Sequence, residues 1–284
     1  MQVRDVLERL GGTAERTVVL RFCSRRALAA AVADGSVVRM GRSRLALPTA
    51  DEARMAAART GGVVSHLSAA LVHGWKVKVP PAVPHLTVRR TRSRVDARDV
   101  VLHWGQVSEA ELDAGVTDPL RTVVDCARSL AFDEALAVTD SALRSAMVTR
   151  QDLLTAVESA PRVGRSVAFR VARQASAKAA NPFESVLRAI ALGVPGLRPE
   201  PQGEVEGVGH ADLVDARLRI AVEGESFEFH ALPEAFRYDV RRYTAMTRRG
   251  WLVARFVWED AMQRPGYVAA ALADLVSLQA DRRT

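Results

Sequence analysis

Cysteine is scarce. Cys23 and Cys126 are the only two in 284 residues, too few for a disulfide framework, and both fall in apolar helical patterns that read as core positions. Long apolar runs are missing as well. None approaches the roughly 20 residues that a membrane-spanning helix needs, and Met1-Gln2-Val3-Arg4-Asp5 has none of the apolar character of a secretory leader. These features predict a cytoplasmic protein with no membrane partner. Aromatic residues make up only 5%, but 48% of residues are hydrophobic and 26% are charged. That is ordinary globular composition, and the length suits about two domains. Lysine is nearly absent, with Lys76, Lys78 and Lys178 as its three positions. Arginine therefore carries almost all of the positive charge.

The balance is +7. Arginine's planar fork donates two hydrogen bonds to one phosphate, so nucleic acid is the leading partner class. An arginine-preferring genome explains the choice of arginine over lysine, but not the net positive sign.

Residues 1–48 read as three helices and a two-stranded ribbon. The first helix, 3–10, stops at Gly11-Gly12. Thr13 caps a second, running to about Phe22, and Ser24 caps a third, 25–33. Strands 37–40 and 44–47 flank Gly41-Arg42-Ser43. This order of elements predicts a winged helix-turn-helix, in which the third helix enters the major groove of double-stranded DNA. Arg25 and Arg26 at its start, and Arg39, Arg42 and Arg44 on the ribbon, are the expected DNA contacts. A solvated basic face is the plainer reading.

Residues 49–155 read as an α+β domain, followed by a helical connector over 156–180. His66 and His73 have no cysteine nearby to complete a zinc set, so packing or capping is their expected role. The basic run 89–94 reads as a solvated loop or a backbone contact. The winged-helix start, the run Val64-Ser65-His66-Leu67-Ser68-Ala69-Ala70, residues 117–127 and Asp140-Ser141-Ala142-Leu143-Arg144 together resemble the actinobacterial AbiEi-type antitoxins of type IV toxin–antitoxin systems. The resemblance covers residues 1 to about 155. It implies DNA binding, repression of the protein's own operon and a toxin partner.

In residues 181–284, the apolar run 218–222 reads as a buried strand that ends in Glu223-Gly224-Glu225. A short turn at Asp215-Ala216-Arg217 joins it to a strand carrying Asp212. Such a hairpin sets Asp212 and Glu223 at one sheet edge. Carboxylates that close repel unless a cation lies between them, and Mg²⁺ or Mn²⁺ takes such oxygen ligands. Asp212, Glu223 and Glu225 are the candidate metal ligands. A solvated acidic turn accounts for the same residues.

The order helix, three strands, helix, strand, helix carries Phe183-Glu184-Ser185-Val186-Leu187-Arg188, Asp212, Val222-Glu223-Gly224-Glu225, Phe229-His230, Tyr238-Asp239 with Arg241-Arg242, and Gly250-Trp251 with Arg255-Phe256. This series is similar to the PD-(D/E)XK nuclease fold, αβββαβα in order, and within it to very-short-patch-repair-like endonuclease domains. The resemblance implies an α/β protein with metal-dependent cleavage of a DNA phosphodiester. It makes Glu184, Asp212, Glu223, Glu225 and His230 the catalytic candidates. Arg242 and Arg255 are candidate phosphate contacts, or partners of Asp239. Nucleases of this fold usually carry a lysine two residues after the strand glutamate, where this chain has Glu225. The alternative is an AbiEi-like antitoxin or repressor whose nuclease fold is inactive.

Overall fold

The computed structural model describes residues 2–10, 13–40, 44–92, 95, 97–225 and 233–281. The chain is mixed α/β and divides into two compact units, residues 1–177 and 178–284.

The first unit begins with α1 (Val3–Arg9), β1 (Thr13–Glu15), α2 (Arg16–Val19), α3 (Arg25–Ala33), β2 (Val38–Met40) and β3 (Arg44–Ala46). Ser24 caps α3, its hydroxyl accepting from the Ala27 N–H at 3.1 Å. Val6, Leu7, Val19, Leu28 and Leu45 close a small core. The second helix is shorter than the sequence predicts. Thr13–Glu15 instead pairs antiparallel with β3, giving a three-stranded sheet in the order β1-β3-β2. Three ladder pairs to a distant strand outweigh the weak local preference of Thr13-Ala14-Glu15 for helix.

The chain continues through α4 (Thr49–Thr60), β4 (Val63–Val64), α5 (His66–Val72), β5 (His85–Arg89), β6 (Val101–Gly105), α6 (Glu109–Ala114), α7 (Pro119–Ser129), α8 (Phe132–Arg144), α9 (Arg150–Ser159) and α10 (Arg165–Gln174). Gly61 ends α4 in the left-handed region at φ 63°, where a side chain is disfavoured. β4 pairs antiparallel and β6 parallel with β5. Val123, Cys126, Val138, Leu153 and Val171 share one core with no exposure to solvent. The stretch read as a connector supplies α10, whose Ala168, Val171 and Ala172 are fully buried in that core. Ser141 on α8 and Ser145 at its C-terminal cap accept hydrogen bonds from the Lys76 N–H at 2.8 Å and from Trp75 Nε1 at 3.0 Å. Asp140, fully buried, accepts the Ser176 N–H at 2.7 Å. These contacts give the Asp140–Ser145 run a packing role.

The second unit holds α11 (Pro182–Ala191), β7 (Glu200–Val205), β8 (Gly209–Asp215), β9 (Ile220–Glu225), α12 (Pro233–Arg248), β10 (Leu252–Val257), α13 (Trp258–Gln263) and α14 (Pro265–Asp281). Its sheet has the order β10-β9-β8-β7, antiparallel except for the parallel β9–β10 pair. That parallel pair requires the crossover that α12 provides. Leu213, Ile220 and Val222 pack with Phe183, Val186 and Leu187 of α11 and with Leu272 of α14. Val214 and Ala221 pack with Met246 of α12. The sheet is thus covered on both faces. Burying a side chain such as Leu187 or Ile220 contributes about 1.5–3 kcal/mol. Among the described residues, no helix is long and apolar enough to cross a membrane.

Candidate functional site

The site grows out of the β8–β9 hairpin. Leu213 pairs with Val222 and Val214 with Ala221, so the next residues outward, Asp212 and Glu223, face one another. The Gly224 N–H donates to Asp212 Oδ2 at 2.8 Å. Gly224 itself is required by packing. A Cβ there would lie 2.9 Å from Phe183 Cε1 and 3.2 Å from Leu187 Cδ1 of α11. The close approach of the helix therefore dictates the glycine between the two glutamates.

Gln202, on the neighbouring strand β7, joins the acids. Its Nε2 donates to Asp212 Oδ1 and to Glu184 Oε2, both at 3.1 Å. Gln202 adopts φ 50°, a left-handed conformation that costs on the order of 1–3 kcal/mol outside glycine. Glu184 is occupied at the start of α11. It accepts from the Ala180 N–H at 2.8 Å and from Asn181 Nδ2 at 2.9 Å, while its own N–H donates to Asn181 Oδ1 at 3.0 Å. Its carboxylate therefore fixes the helix start relative to Gln202 and, through it, Asp212.

Glu223 is 6% exposed. Burial, and then the neighbouring Asp212 carboxylate, push its carboxyl up to about 7, with Arg242 opposing the rise. Burial also raises Asp212, against the pull of the Gly224 N–H and Gln202. Arg242 Nη2 on α12 stands 2.7 Å from Glu223 Oε1 and also donates to the His210 carbonyl. The ionic contact is close and offsets the Glu223 charge, but among the described residues Glu223 Oε1 has no hydrogen-bond partner of standard geometry. A buried carboxylate oxygen facing a second carboxylate suits a cation.

Glu225 points elsewhere. It accepts from Tyr243 Oη at 2.5 Å and from Arg255 Nε at 2.6 Å. The Arg255 guanidinium lies 4.2 Å from the centre of the Tyr243 ring. This hydrogen bond to Glu225 raises the Arg255 pKa, while burial, followed by the Glu225 contact, raises the Tyr243 phenol. The structure thus brings Asp212, Glu223 and, through Gln202, Glu184 together, and turns Glu225 to an aromatic–arginine pair. His230 lies outside the described residues.

The fit of a divalent ion rests on two carboxylates. Among the described residues, no group of three or more His, Cys, Asp or Glu side chains is arranged to hold a metal. Mg²⁺ commonly binds through one or two carboxylates and keeps several waters, so Asp212 with Glu223 meets the minimum. Gln202 and Tyr243 were not identified from sequence. A single glutamine in the polar run 200–204, and a tyrosine on an arginine-rich helix, carry no local signature.

In the first unit, Arg25 and Arg26 are exposed at the start of α3, and Arg39 is exposed on β2. Arg42 and the side chain of Arg44 lie outside the described residues. His73 Nε2 contacts the Thr117 carbonyl at 2.9 Å, the packing role expected of it.

Comparison with known proteins adds relatives whose roles are open. Two proteins of Mycobacterium tuberculosis, the uncharacterized proteins MT2308 (strain CDC 1551 / Oshkosh) and Rv2248 (strain ATCC 25618 / H37Rv), are each 34% identical to this chain over 164 residues. The matched region covers 55% of this chain and 60% of each relative. The chain thus spans about three fifths of the relatives it matches. No family model matches the chain.

Proposed function

We propose that this chain is a DNA-binding protein whose second unit hydrolyses a phosphodiester of double-stranded DNA with Mg²⁺ or Mn²⁺. In this reading residues 1–48 form a winged helix that grips DNA through Arg25, Arg26 and Arg39, together with Arg42 and Arg44. Residues 181–284 act as a PD-(D/E)XK-type nuclease. The observation that carries the reading is the facing pair of half-buried Asp212 and buried Glu223, with the Glu223 carboxyl pushed up to about 7 and one of its oxygens without an aligned donor among the described residues.

Asp212 and Glu223 would hold the ion. When bound, it neutralises the phosphate and lowers the pKa of its water. Gln202 and the Gly224 N–H keep Asp212 oriented, and Glu184 keeps Gln202 in place. Were a cation to balance Glu223, Arg242 would be the residue placed to contact phosphate. Arg255, exposed on its outer side and held by Glu225, supplies a second guanidinium. His230 is the proposed proton carrier near neutral pH. Incubating supercoiled plasmid or mismatched duplex with Mg²⁺ or Mn²⁺ tests this. Cleavage should be abolished in Asp212→Ala and Glu223→Ala, and cleavage at the wild-type rate in those variants contradicts the assignment.

A second reading is an AbiEi-like antitoxin or repressor with an inactive nuclease fold and a toxin partner. The pairs Arg242–Glu223 at 2.7 Å and Arg255–Glu225 at 2.6 Å favour it, because two arginines already offset the acids. It predicts tight binding to the chain's own promoter and no divalent-dependent cleavage.

A further inference from the structure

A cavity of about 1100 Å³ opens in the first unit beside β6, α7 and the end of α9. One wall carries histidine. His66, the first residue of α5, stacks on His103 with ring centroids 3.5 Å apart, and His103 Nε2 lies 3.2 Å from His85 Nδ1. Thr87 pairs with His103 and Arg89 with Gly105 across the parallel β5–β6 ladder. Thr87, His103 and Gly105 therefore share a sheet face. Burial holds the rings in their neutral form. It lowers His66 to about 2, with His103, His85, Arg121 and Arg128 adding to the effect, and it lowers His103 to about 4, assisted by His85.

Arg121 and Arg128, on α7, also line the cavity and share one carboxylate. Arg121 Nε lies 2.6 Å from Asp125 Oδ2, and Arg128 Nη1 lies 3.8 Å from Asp125 Oδ1. Arg121 Nη2 reaches over Gly105, where an added Cβ would come within 3.2 Å of it. With Arg90 and Asp118 also at the cavity, positive charge exceeds negative.

Thr87 is the decisive residue. It is 1% exposed and lines the cavity, and its hydroxyl has no hydrogen-bond partner among the described residues. A buried hydroxyl without a partner is left with its desolvation uncompensated. That cost disappears if a ligand supplies the acceptor. The groups collected here are hydrogen-bond donors with a surplus of guanidinium, and a neutral imidazole donates one N–H. Such a set matches an oxyanion with several acceptor atoms.

We propose that this cavity binds a phosphate group, held by the Thr87 hydroxyl, the His103 and His66 imidazoles and the Arg121 guanidinium, with Arg128, whose Nε and Nη2 donate to the Val163 carbonyl, adding positive charge. The cavity is larger than a bare ion requires, so the phosphate is carried on a soluble ester or on a nucleic-acid strand. The site is independent of the acidic cluster and of the nuclease reading.

The test titrates the full chain with inorganic phosphate, ribose 5-phosphate and a short single-stranded oligonucleotide, read by calorimetry. Thr87→Val keeps the shape of the side chain and removes only the hydroxyl. It should weaken phosphate-ester binding ~tenfold and leave the melting temperature equal or higher. Arg121→Gln should weaken binding further, but it also removes a partner of Asp125, so Thr87→Val is the clean variant. If ribose 5-phosphate saturates the site, a soluble ester is the source. If only the oligonucleotide binds, and binds less tightly to Thr87→Val, the source is a strand. The proposal is overturned if none of the three saturates, or if Thr87→Val binds as tightly as wild type.

Discussion

Arg242 and Glu223 form an ion pair at 2.7 Å, with side chains only 13% and 8% exposed. Asp212 also faces Glu223 and raises its carboxyl, so the pair sits inside an acidic site rather than on a surface. Whether Arg242 is the permanent counter-charge or yields to a metal ion separates the two readings of this chain.

Replacing Arg242 therefore exposes the acids' own demand for a cation. Arg242→Gln leaves a buried glutamate beside a second carboxylate and should destabilise the second unit by about 3 kcal/mol near pH 8. Added Mg²⁺ should then raise the melting temperature of the variant more than that of the wild type. Equal shifts in scanning calorimetry, or none, would show that no divalent ion replaces the arginine.

Stability should fall as pH rises. Burial, and then the Asp212 carboxylate, push the folded Glu223 carboxyl from its ordinary 4.5 up to about 7. A raised folded value means that the folded state holds its proton more tightly. The resulting stability is complete below about pH 4.5 and is lost as pH rises through about 7, with Asp212 shifted in the same direction. The loss from Glu223 is at most about 3 kcal/mol. Urea unfolding should show the second unit weaker near pH 8 than near pH 5, and Glu223→Gln should flatten that difference. Parallel pH profiles for the two proteins contradict this.

Gly224→Ala should act through packing. The new methyl meets Phe183 and Leu187 of α11 at 2.9 and 3.2 Å, and overpacking of this kind costs about 1–3 kcal/mol. A lowered urea midpoint with an unchanged slope is the expected result. A midpoint equal to that of wild type would mean that α11 has room to move.

The exposed start of α3 makes a separate prediction. Arg25→Ala with Arg26→Ala should weaken DNA binding and lower the slope of log affinity against log salt by about two contacts' worth. Fluorescence anisotropy over a salt series measures it. An unchanged slope removes α3 from the interface.

Some of this architecture was legible because it is local. Ser24 capping α3, the Asp215 turn, and the apolar run ending at Glu223 all leave short-range marks, and the hairpin register follows from them. The partners that decide the chemistry are non-local. Gln202 comes from another strand, and Arg242 and Tyr243 come from the helix α12, with no spacing that ties them to Glu223 or Glu225. The acidic residue at 225 looked like a third ligand by proximity alone, but Tyr243 and Arg255 hold it. Thr13–Glu15 read as helix because its pairing partner lies about thirty residues on, at Arg44–Ala46. His66, His85 and His103 are separated widely in sequence, and only the β5–β6 register and the start of α5 bring their rings together.

The central claim is that Asp212 and Glu223 share one divalent ion, and a Mn²⁺ titration followed by electron paramagnetic resonance tests it most directly. The account predicts one saturable site in the wild type, lost in both Asp212→Asn and Glu223→Gln and retained in Arg25→Ala. Saturable binding that survives both acidic substitutions, or no saturable binding in the wild type at millimolar Mn²⁺, would contradict it.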